Sequence, residues 1–237
     1  RRDFTVNAMA YNPDEGLIDF FGGQDDLRKG QIKTVGDPNK RFEEDYLRML
    51  RAIRFACKLD MDLDGALVEA IKIRAENIVK VSFERIGQEF SKILITDKPV
   101  KGINLLYETG LLKYIIEDLY KTKGFDQETI HHQYDLFDHS MSVLSFVPKD
   151  LELRLAAIFH DLGKLYTKFI GQDGQAHFYG HDKQSASLAM DYLRRLKFDN
   201  KTIDNVVHLI SRHMESMNVY TEKSVKRLIR KIGTDNC

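Results

Sequence analysis

Arg41-Phe-Glu-Glu-Asp-Tyr-Leu-Arg-Met-Leu-Arg-Ala-Ile-Arg-Phe-Ala56 is the stretch from which the rest of the chain can be placed. Asp37-Pro38 just ahead of it is a helix-start signal, because Asp can cap and Pro tolerates the first helical position. At about 100° per residue, Met49, Leu50, Ile53 and Cys57 fall on one side of that helix. Arg48, Arg51 and Arg54 wind along the other side in steps of about 60°, with Asp45 one step ahead of Arg48. A solvated helix face would carry the same pattern. The chemical alternative is an edge reader for a nucleobase, in which the carboxylate accepts from an exocyclic amine and the guanidinium donates to the neighbouring ring nitrogen or carbonyl. Cytosine and adenine present amine-then-acceptor on that edge; guanine and uracil present the reverse. An Asp/Arg pair therefore accepts C and A and rejects G and U, since the wrong base leaves buried polar groups unpaired.

Working outward, Phe4 to Tyr11, Leu17 to Phe21 and Gln31 to Val35 read as short strands, with Asp14-Glu15-Gly16 as a turn. From Pro38 onward the pattern is helical, with helices expected near 38–59, 64–77, 82–95, 98–109, 135–147, 150–164, 181–196, 200–213 and 222–232. The fold class is thus mostly α: the remnant of a small mixed α/β head, then an all-helical body and a second helical domain. Ser82 and Asp150 are candidate N-caps, while Gly110 and Gly124 punctuate helix ends. Asp60-Met-Asp-Leu-Asp-Gly65 copies the first half of a calcium loop, but Ile71 stands where a bidentate Glu is needed. It is expected to connect two helices, with Asp64 capping, and not to lie on a strand edge.

The 36 basic and 36 acidic residues cancel, so any RNA surface must be a local patch such as Lys226-Arg227 with Arg230-Lys231. Two cysteines and no Trp argue against a disulfide scaffold and fit a reducing, cytoplasmic compartment. No apolar run approaches a membrane span.

The second half carries its own constellation: His139, then His160-Asp161-Leu-Gly-Lys164, Gly180-His181, and Arg212-His213. The members sit near the ends of successive expected helices, so they can converge on one ion. Imidazole with carboxylate suits Mn, Fe, Ni, Zn or Mg rather than Cu(I). Separate helix-capping histidines are the plainer alternative. His131 and His132 read as surface residues; His177, in a Gly-rich insert from Gly171 to Gly180, borders the cluster, and His208 falls on another helical face.

Glu44-Asp45-x-x-Arg48-x-x-Arg51 resembles the nucleotide-selecting motif of bacterial-type tRNA nucleotidyltransferases and their poly(A) polymerase relatives. Arg1-Arg2-Asp3-Phe4-Thr5-Val6-Asn7-Ala8 resembles the family's sugar-and-phosphate motif, Ile18 through Leu27 its flexible linking element, and Ser82 to Glu89 the helix buttressing the base pocket. The resemblance implies template-independent addition of C and A to a tRNA or other RNA 3′ end from CTP and ATP. It gives Arg2 and Asp3 contacts to phosphate or ribose, and sets Arg51 and Arg54 to face the triphosphate or pin Asp45. The Mg²⁺-binding carboxylate pair is expected upstream of Arg1, so that these residues alone transfer no nucleotide. His-Asp-Leu-Gly-Lys resembles the HD phosphohydrolase domain, which implies a metal site at His139, His160, Asp161, His181 and His213. Gly163 and Lys164 would admit and hold a phosphate there. Such domains close their site with a later Asp; Asp235 comes too early, which places the expected ligand beyond Cys237. The expected division is 1–36 as the end of the head, 37–125 as neck and body, and 126–237 as the HD domain. Phosphatase or 2′,3′-cyclic phosphodiesterase activity, poly(A) synthesis and a non-catalytic RNA-binding module are the competing readings.

Overall fold

The computed structural model describes residues 2–125, 135–172 and 174–214. The expected helix at 222–232, His131, His132, Lys226, Arg227, Arg230, Lys231 and Asp235 lie outside the described residues. The chain divides into two compact units, Arg1–Ile115 and Ile116–Cys237.

Unit 1 begins with a 3₁₀ turn at Thr5–Asn7 and a hairpin of β1 (Ala10–Asn12) and β2 (Gly16–Ile18). The continuous strand expected from Phe4 to Tyr11 does not form. Asn7 Oδ1 accepts the Phe4 backbone N–H at 3.2 Å, so a side chain diverts the amide that a ladder would use. A short helix absent from the sequence reading, α1 (Gly23–Lys29), follows; Asp19 accepts the amides of Gly23 and Gln24 at 2.9 and 2.8 Å and starts it. These amides, Gln24 foremost, hold the Asp19 carboxyl below its ordinary value. Buried Asp26 accepts the Thr5 hydroxyl at 2.7 Å and ties α1 to the opening 3₁₀ turn.

Next come β3 (Gln31–Ile32), α2 (Pro38–Glu44), α3 (Arg48–Leu59) and β4 (Asp62–Leu63), with β3 and β4 parallel. The single helix expected over 38–59 is therefore two. Asp45 is extended (φ −163, ψ 106) and its Oδ1 accepts the Leu47 amide at 3.1 Å, an aspartate turn that outcompetes helix continuation. The acidic triplet also departs from expectation, because Asp62 does lie on a strand, although Asp64 caps the next helix as read. Asp60 and Asp62 are paired with Lys101 at 3.5 and 3.2 Å, and Asp60 with Lys98 at 2.9 Å.

Unit 1 closes with α4 (Gly65–Arg74), a 3₁₀ segment (Ala75–Lys80), α5 (Phe83–Leu94), α6 (Pro99–Glu108) and α7 (Leu111–Ile115). Ser82 stands at the start of α5 without a side-chain cap bond. Met49, Leu50 and Ile53 of α3 are fully buried with Phe90 and Ile93 of α5. A β-carbon on Gly102 would lie 2.3 Å from Ile93 Cγ2, so glycine there lets α6 close onto α5.

Unit 2 contains α8 (Glu117–Lys121), α9 (Leu136–Phe146), α10 (Leu151–Phe159), α11 (Lys164–Thr167), a hairpin of β5 (Phe169–Ile170) and β6 (Ala176–His177), α12 (His181–Arg195) and α13 (Asn200–Arg212). Asp150 caps α10 through the Leu153 amide. The helix expected over 150–164 is interrupted at His160–Gly163, which frees Asp161 from a helical face. Among the described residues no helix is long and apolar enough to cross a membrane.

Candidate functional site

In unit 1 the arginines of α3 meet an aspartate from far up the chain. Asp3 Oδ1 accepts from Arg48 Nε at 3.0 Å and Asp3 Oδ2 from Arg51 Nε at 2.7 Å. Arg48 Nη1 also donates to the Arg41 carbonyl at 2.7 Å and to Glu44 Oε2 at 2.5 Å. Burial opposes the charge on Arg48, but Glu44 and Asp3 outweigh it and raise its already high pKa. Arg2 is exposed, and its carbonyl accepts from Arg41 Nη2.

Asp45 does not share this cluster. The break after α2 turns it toward α5, where Arg85 Nη2 donates to Asp45 Oδ2 at 2.7 Å. Neither Arg51 nor Arg54 pins Asp45, which removes one of the two roles expected of them. Arg54 Nε instead lies 3.2 Å from Glu89 Oε2, an ion pair whose buried atoms are not aligned as a hydrogen bond. Lys92 completes the neutralisation of Glu89 at 3.1 Å. The sequence reading named Asp3, Arg48 and Arg51 as site residues but did not pair them, giving Asp3 to the ribose and Arg48 to Asp45, and it missed Arg41, Arg85 and Glu89 as partners. Arg85 and Glu89 stood inside the Ser82–Glu89 segment already singled out, so that segment was the available signal.

In unit 2 the histidine cluster converges. His139 lies in the first turn of α9, His160 ends α10, His181 opens α12 and His213 ends α13. Asp161 is buried at their centre. Its Oδ2 lies 3.3 Å from His139 Nε2 and 3.3 Å from His160 Nε2; its Oδ1 lies 3.3 Å from His181 Nε2 and 3.6 Å from His213 Nε2. The Nε2 atoms of His139 and His160 are 3.3 Å apart, and those of His181 and His213 are 3.2 Å apart.

The tautomers decide what this geometry can hold. Nδ1 of His160, His181 and His213 sits 2.8, 2.8 and 2.7 Å from the carbonyls of Ala157, Phe178 and Ile210, each three residues back. A carbonyl only accepts, so these Nδ1 atoms carry hydrogens, and each ring when neutral turns an acceptor lone pair at Nε2 toward the centre of the cluster. Lone pairs facing one another and a carboxylate repel, whereas protonating every ring would crowd several positive charges into one cleft. A divalent cation between them satisfies all the donors, and the Nδ1 contacts are the outer bonds that orient ligating imidazoles. The donor atoms form two groups that could hold an ion, His139–His160–Asp161 and Asp161–His181–His213, sharing the carboxylate. Burial works against the Asp161 charge; hydrogens on the four Nε2 atoms would outweigh it and hold the carboxyl far below the usual carboxylate range, and a cation among the rings would take over that part. Burial likewise disfavours charge on His213, yet Asp161 and the Ile210 carbonyl raise its pKa.

Lys164 Nζ is 2.8 Å from Asp161 Oδ2. Gly163 does not open the cleft as expected: a β-carbon there would lie 2.3 Å from the His181 carbonyl oxygen, so the glycine is where α12 packs against the His-Asp turn. The cluster lines a cleft of about 460 Å³ with His177 and Tyr179 on its wall, and exposed His208 stays outside it.

Three family models match the chain. Residues 1–33 match the poly A polymerase head domain, 60–122 the probable RNA and SrmB-binding site of polymerase A, and 136–232 the HD domain. The chain belongs to the tRNA nucleotidyltransferase and poly(A) polymerase family. An A-adding tRNA nucleotidyltransferase of Deinococcus radiodurans is 33% identical over 225 residues, which are 90% of this chain and 51% of that protein. A CC-adding tRNA nucleotidyltransferase of Thermus thermophilus is 30% identical over 228 residues, 92% of this chain and 52% of that one. A CCA-adding enzyme of Limosilactobacillus reuteri is 49% identical over 114 residues, 48% of this chain and 28% of the relative. The Bacillus stearothermophilus CCA-adding enzyme in complex with CTP matches 99% of this chain and 50% of its own, at 25% identity and a TM-score of 0.68. The chain thus spans about half the length of the Deinococcus, Thermus and Bacillus relatives.

Proposed function

We propose that this chain is the base-selecting and RNA-holding portion of an enzyme that adds C and A to tRNA 3′ ends from CTP and ATP without a nucleic-acid template. Poly(A) synthesis would use the same pocket. The observation that carries the reading is the anchoring of Arg48 by Asp3 and Glu44 at 3.0 and 2.5 Å. Base discrimination needs a donor fork with fixed geometry, and a guanidinium held from two sides has one. Arg85 stands on Asp45 Oδ2 in the position of an exocyclic amine, and exchanging one donor for the other keeps that acceptor satisfied. Asp3 works first as the positioning group for Arg48 and Arg51; Arg2 is the residue proposed to meet phosphate or ribose, and Arg54 steadies α5 through Glu89. Mg²⁺ is the ion proposed for the transfer. Within this reading 1–36 ends the head, 37–125 forms neck and body, and 126–237 forms the HD domain.

The test is incorporation of each of the four nucleotides into a tRNA lacking its 3′ end, by the complete open reading frame carrying Asp45→Ala or Arg48→Ala. Each change should cost about 2–3 kcal/mol of discrimination, the loss of a charge-assisted bond at a desolvated edge. A variant that still excludes G and U as the parent does would refute the edge-reading role.

A second activity is supported by the convergence of four imidazole Nε2 atoms on the Asp161 carboxylate at 3.3–3.6 Å. His139, His160, Asp161, His181 and His213 are the proposed ligands of a divalent ion, with Ni, Mn, Fe, Zn or Mg compatible with this donor set. An ion there would neutralise a phosphoryl oxygen and lower the pKa of water. The chain's own part is to fix the imidazoles through the Ala157, Phe178 and Ile210 carbonyls and to supply the Lys164 ammonium for phosphate charge. Metal-dependent hydrolysis of a 2′,3′-cyclic nucleotide, abolished by His160→Ala, is the expected result; no turnover with any added ion leaves a structural vestige.

A further inference from the structure

The outer wall of the histidine cleft is aromatic, which neither metal binding nor phosphate binding requires. The β5–β6 hairpin pairs Phe169 with His177, and their rings stack at 5.4 Å and 30°. Tyr179 stacks on His177 at 5.5 Å and only 11°, and lies 5.5 Å from Phe169. Phe169 is 45% exposed and Tyr179 74% exposed, so the cluster spends large apolar rings on open surface. His177 and Tyr179 line the same cleft as Asp161 and Lys164. Tyr179 precedes the cluster residue His181 by two positions, so their Cα atoms are separated by at most about 7 Å.

We propose that Tyr179, stacked on His177 and Phe169, is a base-stacking platform, and that the ligand of this cleft is a nucleoside phosphate. Its base lies on Tyr179 and its phosphate at the Asp161–Lys164 end of the same cleft. The phosphate end rests on the phosphohydrolase reading above; the platform rests on the rings. Stacking offers a π-face to every base, so it distinguishes nucleotides from base-free phosphoesters without preferring one base strongly. Lys164 supplies positive charge at the other end, its Nζ 5.5 Å from the centroid of the Phe178 ring. The same chemistry is presented by a free mononucleotide and by the last nucleotide of an RNA strand.

The competing explanation is that the rings only staple a hairpin too short to stand alone. Tyr179→Leu separates the two, because leucine keeps the apolar staple and removes the π-face. Calorimetric titration of the full chain, with Mn²⁺ present throughout, uses 3′-AMP, inorganic phosphate and a short RNA ending in a 3′-phosphate. Tyr179→Leu should weaken 3′-AMP about tenfold, leave phosphate unchanged, and be rescued by Tyr179→Trp. An RNA bound more tightly than 3′-AMP, with the same Tyr179 dependence, identifies the strand end as the source; equal affinities identify the free nucleotide. The platform is overturned if Tyr179→Leu leaves 3′-AMP binding unchanged, if it weakens phosphate equally, or if the unaltered chain binds 3′-AMP no more tightly than phosphate. Tyr179-dependent binding without turnover of a cyclic nucleotide would keep the platform and dismiss the phosphohydrolase reading.

Discussion

Replacing Gly163 by alanine tests whether the packing of α12 against the His-Asp turn sets the geometry of the cluster. The added carbon would sit 2.3 Å from the His181 carbonyl oxygen, 2.7 Å from the Ser185 amide nitrogen and 2.9 Å from Gln184 Cβ. The first two are backbone and cannot rotate away. Bringing 2.3 Å up to the 3.0 Å that real Cβ contacts respect moves the start of α12 by about 0.7 Å. His181 is the first residue of that helix, with Nε2 3.3 Å from Asp161 Oδ1. Metal–ligand distances tolerate about 0.2 Å, so a shift of this size should weaken ion binding roughly 10–100-fold. The Gly163 amide also donates to Ser185 Oγ at 2.8 Å, and overpacking at such a site costs about 1–3 kcal/mol. Mn²⁺ titration followed by electron paramagnetic resonance reads the first effect, and calorimetric melting with and without Mn²⁺ reads the second. Gly65→Ala, where nothing lies within 4 Å, is the control and should change neither. A Gly163→Ala chain with unaltered Mn²⁺ affinity and melting temperature would refute the reasoning.

Asp3→Asn removes the charge shared by Arg48 and Arg51 from a carboxylate only 13% exposed, and should cost unit 1 about 2–3 kcal/mol in urea unfolding followed by circular dichroism. An unchanged midpoint would mean the pairs add nothing. Burial pushes the Cys57 thiol up to about 11, so iodoacetamide at pH 8 should leave the Cys57 peptide unlabelled by mass spectrometry until urea is added. The sign follows: the folded pKa lies above the ordinary 9.0, so this burial stabilises the fold below pH 9 and the contribution fades as pH rises toward 11. Rapid labelling of the native chain would contradict it. Buried Asp118 accepts the hydroxyls of Tyr166 and Tyr192 at 2.6 and 3.0 Å. Tyr192→Phe should therefore lower the stability of unit 2 by about 1–3 kcal/mol in the same urea assay, and no loss would show that Asp118 is satisfied without it.

The sequence by itself determined most of the helices, the apolar side of α3, and the caps at Asp64 and Asp150. These are local properties: periodicity, capping and motif spacing act within a few residues, and the chain obeys them without outside help. The convergence of His139, His160, Asp161, His181 and His213 was legible because each lies at or near a helix boundary, where packing helices brings such residues together. What the sequence could not decide was which polar group answers which. Asp45 and Arg48 are three residues apart and look like one pair, but a turn at Asp45 sends the first to Arg85 and leaves the second to Asp3 and Glu44. The contest is between a helix that continues and an aspartate that caps Leu47, and tertiary ion pairs from distant residues tip it. Gly163 illustrates the same limit from the opposite side. In sequence it reads as room for a phosphate, whereas its hydrogen in place of a β-carbon is what lets the backbone of α12 come to 2.3 Å of where that carbon would stand. Only the packed structure brings that helix to it, because the approach joins segments whose contact no local pattern encodes.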